Sequence, residues 1–129
     1  MKIEHLAIWT HDLERMKEFY VRYFNAVSGN KYLNPKKQFT SYFLSFVEGP
    51  RLELMQMPGV AETNCEAGKP YFGLIHFAVS VGSELAVNEI TEQLRKDGFR
   101  VIGEPRRTGD GYYESVVLDP EENTIEITA

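Results

Sequence analysis

The second half of this chain repeats the first. Residues 3–10, IEHLAIWT, read as a strand, and Leu74 to Val81 reads as a strand in the same way, with His76 lying 71 residues after His5. Arg51 to Met57 and Thr124 to Thr128 form a second matching pair, with Glu126 lying 73 residues after Glu53. One amphipathic segment of helical period lies within each copy. Two copies of a βαβββ unit are the simplest account, and this constrains the fold strongly: a unit so small cannot bury its sheet face alone, whereas two can. The predicted class is α+β, with two tandem βαβββ modules, mostly antiparallel sheet and the helices outside. Module one covers about 1–57, a Pro/Gly-rich connector about 58–73 and module two about 74–129, in one domain over 1–129.

Within the first copy, Leu13, Met16, Phe19 or Tyr20, and Phe24 recur at spacings of three and four, opposite Glu14, Arg15, Lys17 and Glu18, which predicts a helix. Asn25 to Asn30 break that pattern, with Gly29 marking the exit. The polar segment 29–38 reads as a loop with room for a short strand. Strands at 40–47 and 51–57 flank the turn Glu48-Gly49-Pro50 as a hairpin. Within the second copy, Ser83 caps a helix with the apolar stripe Val87, Ile90 and Leu94, and Gly98 ends it in a left-handed conformation. Phe99 to Ile102 reads as a strand, and a loop carrying Arg106 and Arg107 runs through Gly103, Pro105, Gly109 and Gly111. Tyr113 to Leu118 is a strand, followed by the turn Asp119 to Asn123, in which Asn123 supplies a left-handed residue.

Composition supports a packed core: 43% of residues are apolar and 26% charged, which disfavours disorder. Fourteen Lys and Arg against nineteen Asp and Glu give a formal charge of −5. An acidic chain without a basic stripe argues against nucleic acid and anionic membranes as partners. The start, Met-Lys-Ile-Glu-His, lacks an apolar targeting core, and no stretch approaches the ~18 apolar residues of a membrane span. These features place the chain in the cytoplasm. Cys65 is the single cysteine, so no intrachain disulfide forms, and no base stands near it in sequence to make it a nucleophile.

Four strands each hold one metal-ligand candidate: His5, Glu53, His76 and Glu126. Alternate residues of a strand share a face. His5 goes with Ala7 and Trp9, away from Leu6 and Ile8; His76 goes with Ala78 and Ser80, away from Ile75, Phe77 and Val79. Leu52 and Leu54 flank Glu53, and Ile125 and Ile127 flank Glu126. The aliphatic side should pack under the helices, so the other face must carry two imidazoles and two carboxylates. Burying such groups unpaired costs several kcal/mol each. A divalent cation removes that cost, and two imidazoles with two carboxylates suit Zn, Ni, Co, Mn or Fe. Four protein ligands of an octahedral ion leave two positions open. A sheet with one wet side produces the same alternation without function, so the weight rests on all four residues standing at matching places.

In IEHLAIWTHDLERMKEFYVRYF, GPRLELMQ, GLIHFAVSV and LDPEENTIEIT the chain resembles the vicinal oxygen chelate superfamily, also called the glyoxalase/bleomycin-resistance/dioxygenase fold, over nearly its whole length. That resemblance implies a cup-shaped sheet around a divalent ion, Ni, Co or Zn, with His5, Glu53, His76 and Glu126 as ligands. The two-His, two-Glu set is similar to glyoxalase I. The resemblance then implies a lyase or isomerase that moves a proton α to a carbonyl through a metal-bound enediolate. Glu126 is the first candidate for the catalytic base and Glu53 the alternative. The substrate is a small molecule, a 2-oxoaldehyde–thiol adduct or related carbonyl compound. The chain departs from glutathione-using relatives at Trp9, where they tend to carry Arg, and at Met57, where they tend to carry Asn. A non-catalytic drug-binding protein and an enzyme like methylmalonyl-CoA epimerase, which has Gln in place of Glu53, are the alternatives. The resemblance also implies a homodimer, in which the modules pair within a chain or swap between chains. Trp9, Phe43, Phe46 and Tyr113 are candidates for the walls of the cup, and Arg106 and Arg107 for an anionic substrate tail.

Overall fold

The structure is a computed structural model that describes residues 1–62 and 65–129, so residues 63–64 of the expected connector lie outside the described residues. Two compact units emerge, Met1–Thr63 and Asn64–Ala129. Each carries one helix on one sheet, and the class is α+β as the repeat predicts.

In the first unit, β1 (His5–Trp9) leads into α1 (Leu13–Phe24), followed by β2 (Val27–Ser28), β3 (Tyr32–Asn34), β4 (Phe39–Ser45) and β5 (Arg51–Gln56). The sheet order is β1-β5-β4-β2, with β3 also paired to β4. Asp12 starts α1 by accepting the Arg15 amide at 3.0 Å. The apolar stripe then buries Leu13, Met16, Phe19, Tyr20, Tyr23 and Phe24 over Leu44, Leu52 and Leu54 of β4 and β5, which are at most 2% exposed. The helix ends at Asn25, which takes a left-handed φ of 52°. The end falls where the helical pattern breaks, and Gly29 lies beyond it; asparagine is among the residues that tolerate this conformation best after glycine. That stop frees Val27 and Ser28 to add a short strand against Ser45 and Leu44.

The second unit repeats the plan. Its elements are β6 (His76–Ser80), α2 (Glu84–Lys96), β7 (Val101–Arg107), β8 (Tyr113–Leu118) and β9 (Thr124–Thr128), with strand order β6-β9-β8-β7. Ser83 caps α2 by accepting the Ala86 amide at 3.1 Å, and Gly98 follows the helix with φ 88°. Val87 and Leu94 are fully buried, as is Thr91, which the apolar stripe did not flag. Thr91 Oγ1 donates to the Val87 carbonyl at 2.6 Å, so Ser115 Oγ donates to Thr91 Oγ1 at 2.7 Å, and a polar pair sits satisfied inside the core.

Two expectations need correction here. The segment expected to be a loop from Gly103 onward belongs to β7 as far as Arg107. β7 is the edge strand, where the missing Pro105 N–H breaks no central ladder, and two register shifts, Val101/Gly103 and Gly103/Arg106, absorb the irregular sequence. A Cβ at Gly103 would stand 2.8 Å from Val116 Cγ2, so the strands approach this closely only because that side chain is absent. In the turn after β8, Glu122 and not Asn123 takes the left-handed conformation, with φ 67°. The Asp119 carboxylate accepts from the Glu121 and Asn123 amides at 2.9 and 3.0 Å and from Asn123 Nδ2 at 2.8 Å, which commits Asn123 to gripping Asp119. Among the described residues, no helix is long and apolar enough to cross a membrane.

Candidate metal centre

The first unit brings His5 and Glu53 together through a parallel strand pair. Ala7 of β1 is registered directly against Glu53 of β5, and His5 lies two residues earlier on the same face. The neighbours of Glu53, Leu52 and Leu54, point the other way into the helix-covered core. The diagonal leaves His5 Nε2 3.9 Å from Glu53 Oε2. The other ring nitrogen, Nδ1, is hydrogen-bonded to the Glu4 carboxylate. Glu4 in turn accepts from Arg51 Nε at 2.8 Å, and the Arg51 guanidinium lies 4.1 Å over the Phe43 ring. The His5 hydrogen bond, followed by those from Arg51, holds the Glu4 carboxyl below its ordinary range. Donation from Nδ1 leaves Nε2 of a neutral ring with its lone pair toward Glu53, the arrangement a metal-binding histidine needs.

The second unit reproduces the geometry. Ala78 of β6 is registered against Glu126 of β9, and His76 again lies two residues earlier. His76 Nε2 stands 3.2 Å from Glu126 Oε2. The strand phase read from the sequence therefore holds in both units, and register adds that an alanine faces each carboxylate. The device on the far nitrogen does not repeat: Ile75, not an acid, precedes His76.

The donor chemistry fits a divalent cation. Each pair offers one imidazole nitrogen and one carboxylate, 3.9 Å apart in one unit and 3.2 Å in the other. Among the described residues, no three His, Cys, Asp or Glu side chains come together as a metal-holding group. Each unit by itself brings one imidazole and one carboxylate together.

Other expected site residues divide by strand phase. Phe43 is registered against Glu53 and its ring meets His5 edge to face at 5.4 Å, so it stands on the candidate face, as does Trp9. Phe46 lies just past the end of β4. Tyr113 is on the opposite side, its hydroxyl donating to Asn88 of α2 at 2.9 Å, so it does not line the Glu126 face. Arg106 and Arg107 alternate on β7 and point to opposite sides. Arg106 faces Glu114 at 3.6 Å, while Arg107 pairs with Glu84 at the start of α2. Sequence reading missed Glu4 and Arg51, although an acid beside a candidate ligand histidine was a visible signal. His11 and Cys65 are exposed, with His11 3.4 Å from Glu62. A cleft of about 890 Å³ opens away from the His5–Glu53 pair, along α1 and residues 26–31. Its Lys17 and Lys31 are already paired with Glu14, and it holds no histidine or reactive nucleophile.

A family model described as the Glyoxalase/Bleomycin resistance protein/Dioxygenase superfamily matches residues 2–127. The uncharacterized protein YqjT of Bacillus subtilis (strain 168) is 37% identical over 60 residues, 44% of this chain and 47% of that protein, so the match spans about half the curated relative's length. Among solved structures, the trypanothione-dependent glyoxalase I of Leishmania major is similar at 24% identity and TM-score 0.75, covering 99% of this chain and 86% of that one. A possible glyoxalase from Bacillus cereus is similar at 25% identity and TM-score 0.71, covering 100% and 99%.

Proposed function

Because this chain belongs to the glyoxalase/bleomycin resistance protein/dioxygenase superfamily, we propose that it is a metal-dependent lyase or isomerase of the glyoxalase I type. It acts on a small 2-oxoaldehyde–thiol adduct or a related carbonyl compound, in the cytoplasm, as a homodimer. The observation that carries this reading is the pair of matched His–Glu contacts, 3.9 Å in one unit and 3.2 Å in the other, at identical strand register. His5, Glu53, His76 and Glu126 together hold one divalent ion, Ni, Co or Zn, with the two units drawn from one chain or from two.

When bound, such an ion supplies a Lewis acid that acidifies the carbon next to a carbonyl. The residues do the rest. His5 and His76 hold through Nε2, and Glu4 keeps the His5 ring turned the right way. Glu126, whose carboxylate faces His76, takes the α-proton on a carboxylate oxygen and returns it to the neighbouring carbon. Glu53 is the alternative base. Phe43 packs its ring against the edge of His5 and fixes that side of the face.

The test is metal analysis of protein expressed with Ni or Zn, combined with turnover of methylglyoxal in the presence of different thiols. We expect bound metal and turnover of at least one thiol adduct, with turnover lost in Glu126→Gln. A protein that takes up no metal and turns over no adduct would return the reading to a non-catalytic binding role.

A further inference from the structure

Trp9, Tyr32 and Phe39 form a continuous aromatic row in the first unit. The Trp9 and Phe39 rings meet edge to face with centroids 6.0 Å apart, and Phe39 and Tyr32 are also 6.0 Å apart. The three residues come from β1, β4 and β3, so sheet pairing assembles the row. Register fixes its side. Tyr32 is paired with Ser41, Ser41 with Met55, and Met55 with Trp9. All of these alternate in phase with His5 and Glu53. The row therefore continues the face of the His5–Glu53 pair, past the small Ala7. Trp9 is 42% and Tyr32 55% exposed, so neither ring is spent on the core.

The internal repeat shows that packing does not require this row. Helix-facing positions are aliphatic in both units, Leu52 and Leu54 in one and Ile125 and Ile127 in the other. On the other face the units differ: Ser80 stands at the register of Trp9, Thr128 at that of Met55 and Glu114 at that of Ser41. The second unit thus carries a polar residue at the register of Trp9, while Tyr112 stands two residues before Glu114 as Phe39 stands two before Ser41.

We infer that this row is a binding shelf for a flat apolar group at the far end of the ligand, an inference that rests on the small-carbonyl reading above. Trp9, Phe39, Tyr32 and Met55 offer no charge to a carboxylate or ammonium group, while their rings offer stacking and edge contacts. Four residues of strand separate His5 from Trp9, about 13 Å. A bare 2-oxoaldehyde is too short to reach both; the thiol part of an adduct reaches. The ligand class is thus an adduct whose thiol carries an aromatic or similarly flat group.

Trp9 is the single tryptophan, so its emission reports on the shelf directly. The probes are two lactoyl thioesters, one of 2-phenylethanethiol and one of 3-mercaptopropionate, titrated into the protein as purified, with and without a chelator. The phenylethyl ester should shift Trp9 emission saturably and bind about tenfold tighter than the carboxyethyl ester. Tyr32→Ser should weaken the phenylethyl ester about fivefold and leave the other unchanged. Should that variant fail to fold, Phe39→Leu carries the same comparison. Equal affinities for the two esters overturn the shelf. So does emission that follows protein concentration and not ligand, which would put a second copy on the row. Metal uptake and turnover are separate readouts, so loss of the isomerase reading and loss of the shelf are told apart.

Discussion

His76 Nε2 stands 3.2 Å from Glu126 Oε2 across a parallel strand pair, two residues ahead of the alanine registered against that glutamate. The first unit builds the same diagonal from His5, Ala7 and Glu53. Parallel pairing of the first and last strands of each unit places a histidine and a carboxylate from remote sequence on one face. Each half thereby holds a histidine and a carboxylate side by side, and the ordering cost of bringing those two groups together is met by folding of the sheet.

Glu126→Gln keeps the size and polarity of the side chain but cannot take up a proton as a carboxylate does. Turnover by metal-loaded protein should fall by about 10²- to 10⁴-fold with the circular dichroism spectrum unchanged. Glu53→Gln should cost metal affinity first. Steady-state kinetics beside metal content per chain check both, and equal turnover by Glu126→Gln and the parent protein would remove Glu126 as the base.

Glu4→Gln tests the positioning of His5. Loss of the carboxylate that binds Nδ1 should weaken metal binding by about 10- to 100-fold. In metal-free protein it should also move the ¹⁵N shifts of the His5 ring while leaving those of His76 in place, since Ile75 offers no equivalent contact. A merely structural Glu4 would not change those shifts selectively.

Gly103→Ala should destabilise the second unit by about 1–3 kcal/mol, the usual cost of overpacking, because the new methyl meets Val116 Cγ2 at 2.8 Å. Val116→Ala in the same chain should recover part of that loss, since Val116 supplies the clashing methyl. Urea unfolding of the single and double variants measures the coupling.

Glu14 accepts hydrogen bonds from Lys17 at 2.6 Å, Lys31 at 2.9 Å and the Tyr42 hydroxyl at 3.1 Å. These, Lys17 foremost, pull its carboxyl down from 4.5 to about 2. A depressed carboxylate contributes stability that is fully present above 4.5 and lost as the pH falls through about 2. Glu14→Gln should therefore flatten the loss of Tm across that window. At neutral pH it should cost only about 1 kcal/mol or less, because the cluster is half exposed to water. Thermal melts from neutral pH down to about 2 check the sign.

The amino-acid order alone carried the repeat, the helices and the phase of the ligand candidates. Period-two alternation in IEHLAIWT and TIEIT and period-three-and-four spacing from Leu13 to Phe24 are local properties that survive into any compatible fold. Ser83 and Gly98 mark the ends of α2 by their own backbone preferences. Where sequence reading failed, either a remote strand or a competing neighbour had outweighed the signal that was read. Gly103 and Pro105 suggest a loop, yet pairing with β8 at a sheet edge holds them in a strand. The hold of Asn123 on Asp119 left the left-handed position to Glu122. Tyr113, an aromatic that seemed suited to a wall, went to Asn88 because strand phase turned it toward α2.

What each strand's own residues determined was which side chains share a face, since alternation is a property of the extended backbone. Which residue on another strand they meet was decided only by register, and register is fixed when the aliphatic face of the whole sheet closes under its helix. That step set Glu53 beside His5, hung Glu4 on the far side of the same ring and joined Trp9, Phe39 and Tyr32 into one row. A one-residue slip would have sent every one of them to the opposite face.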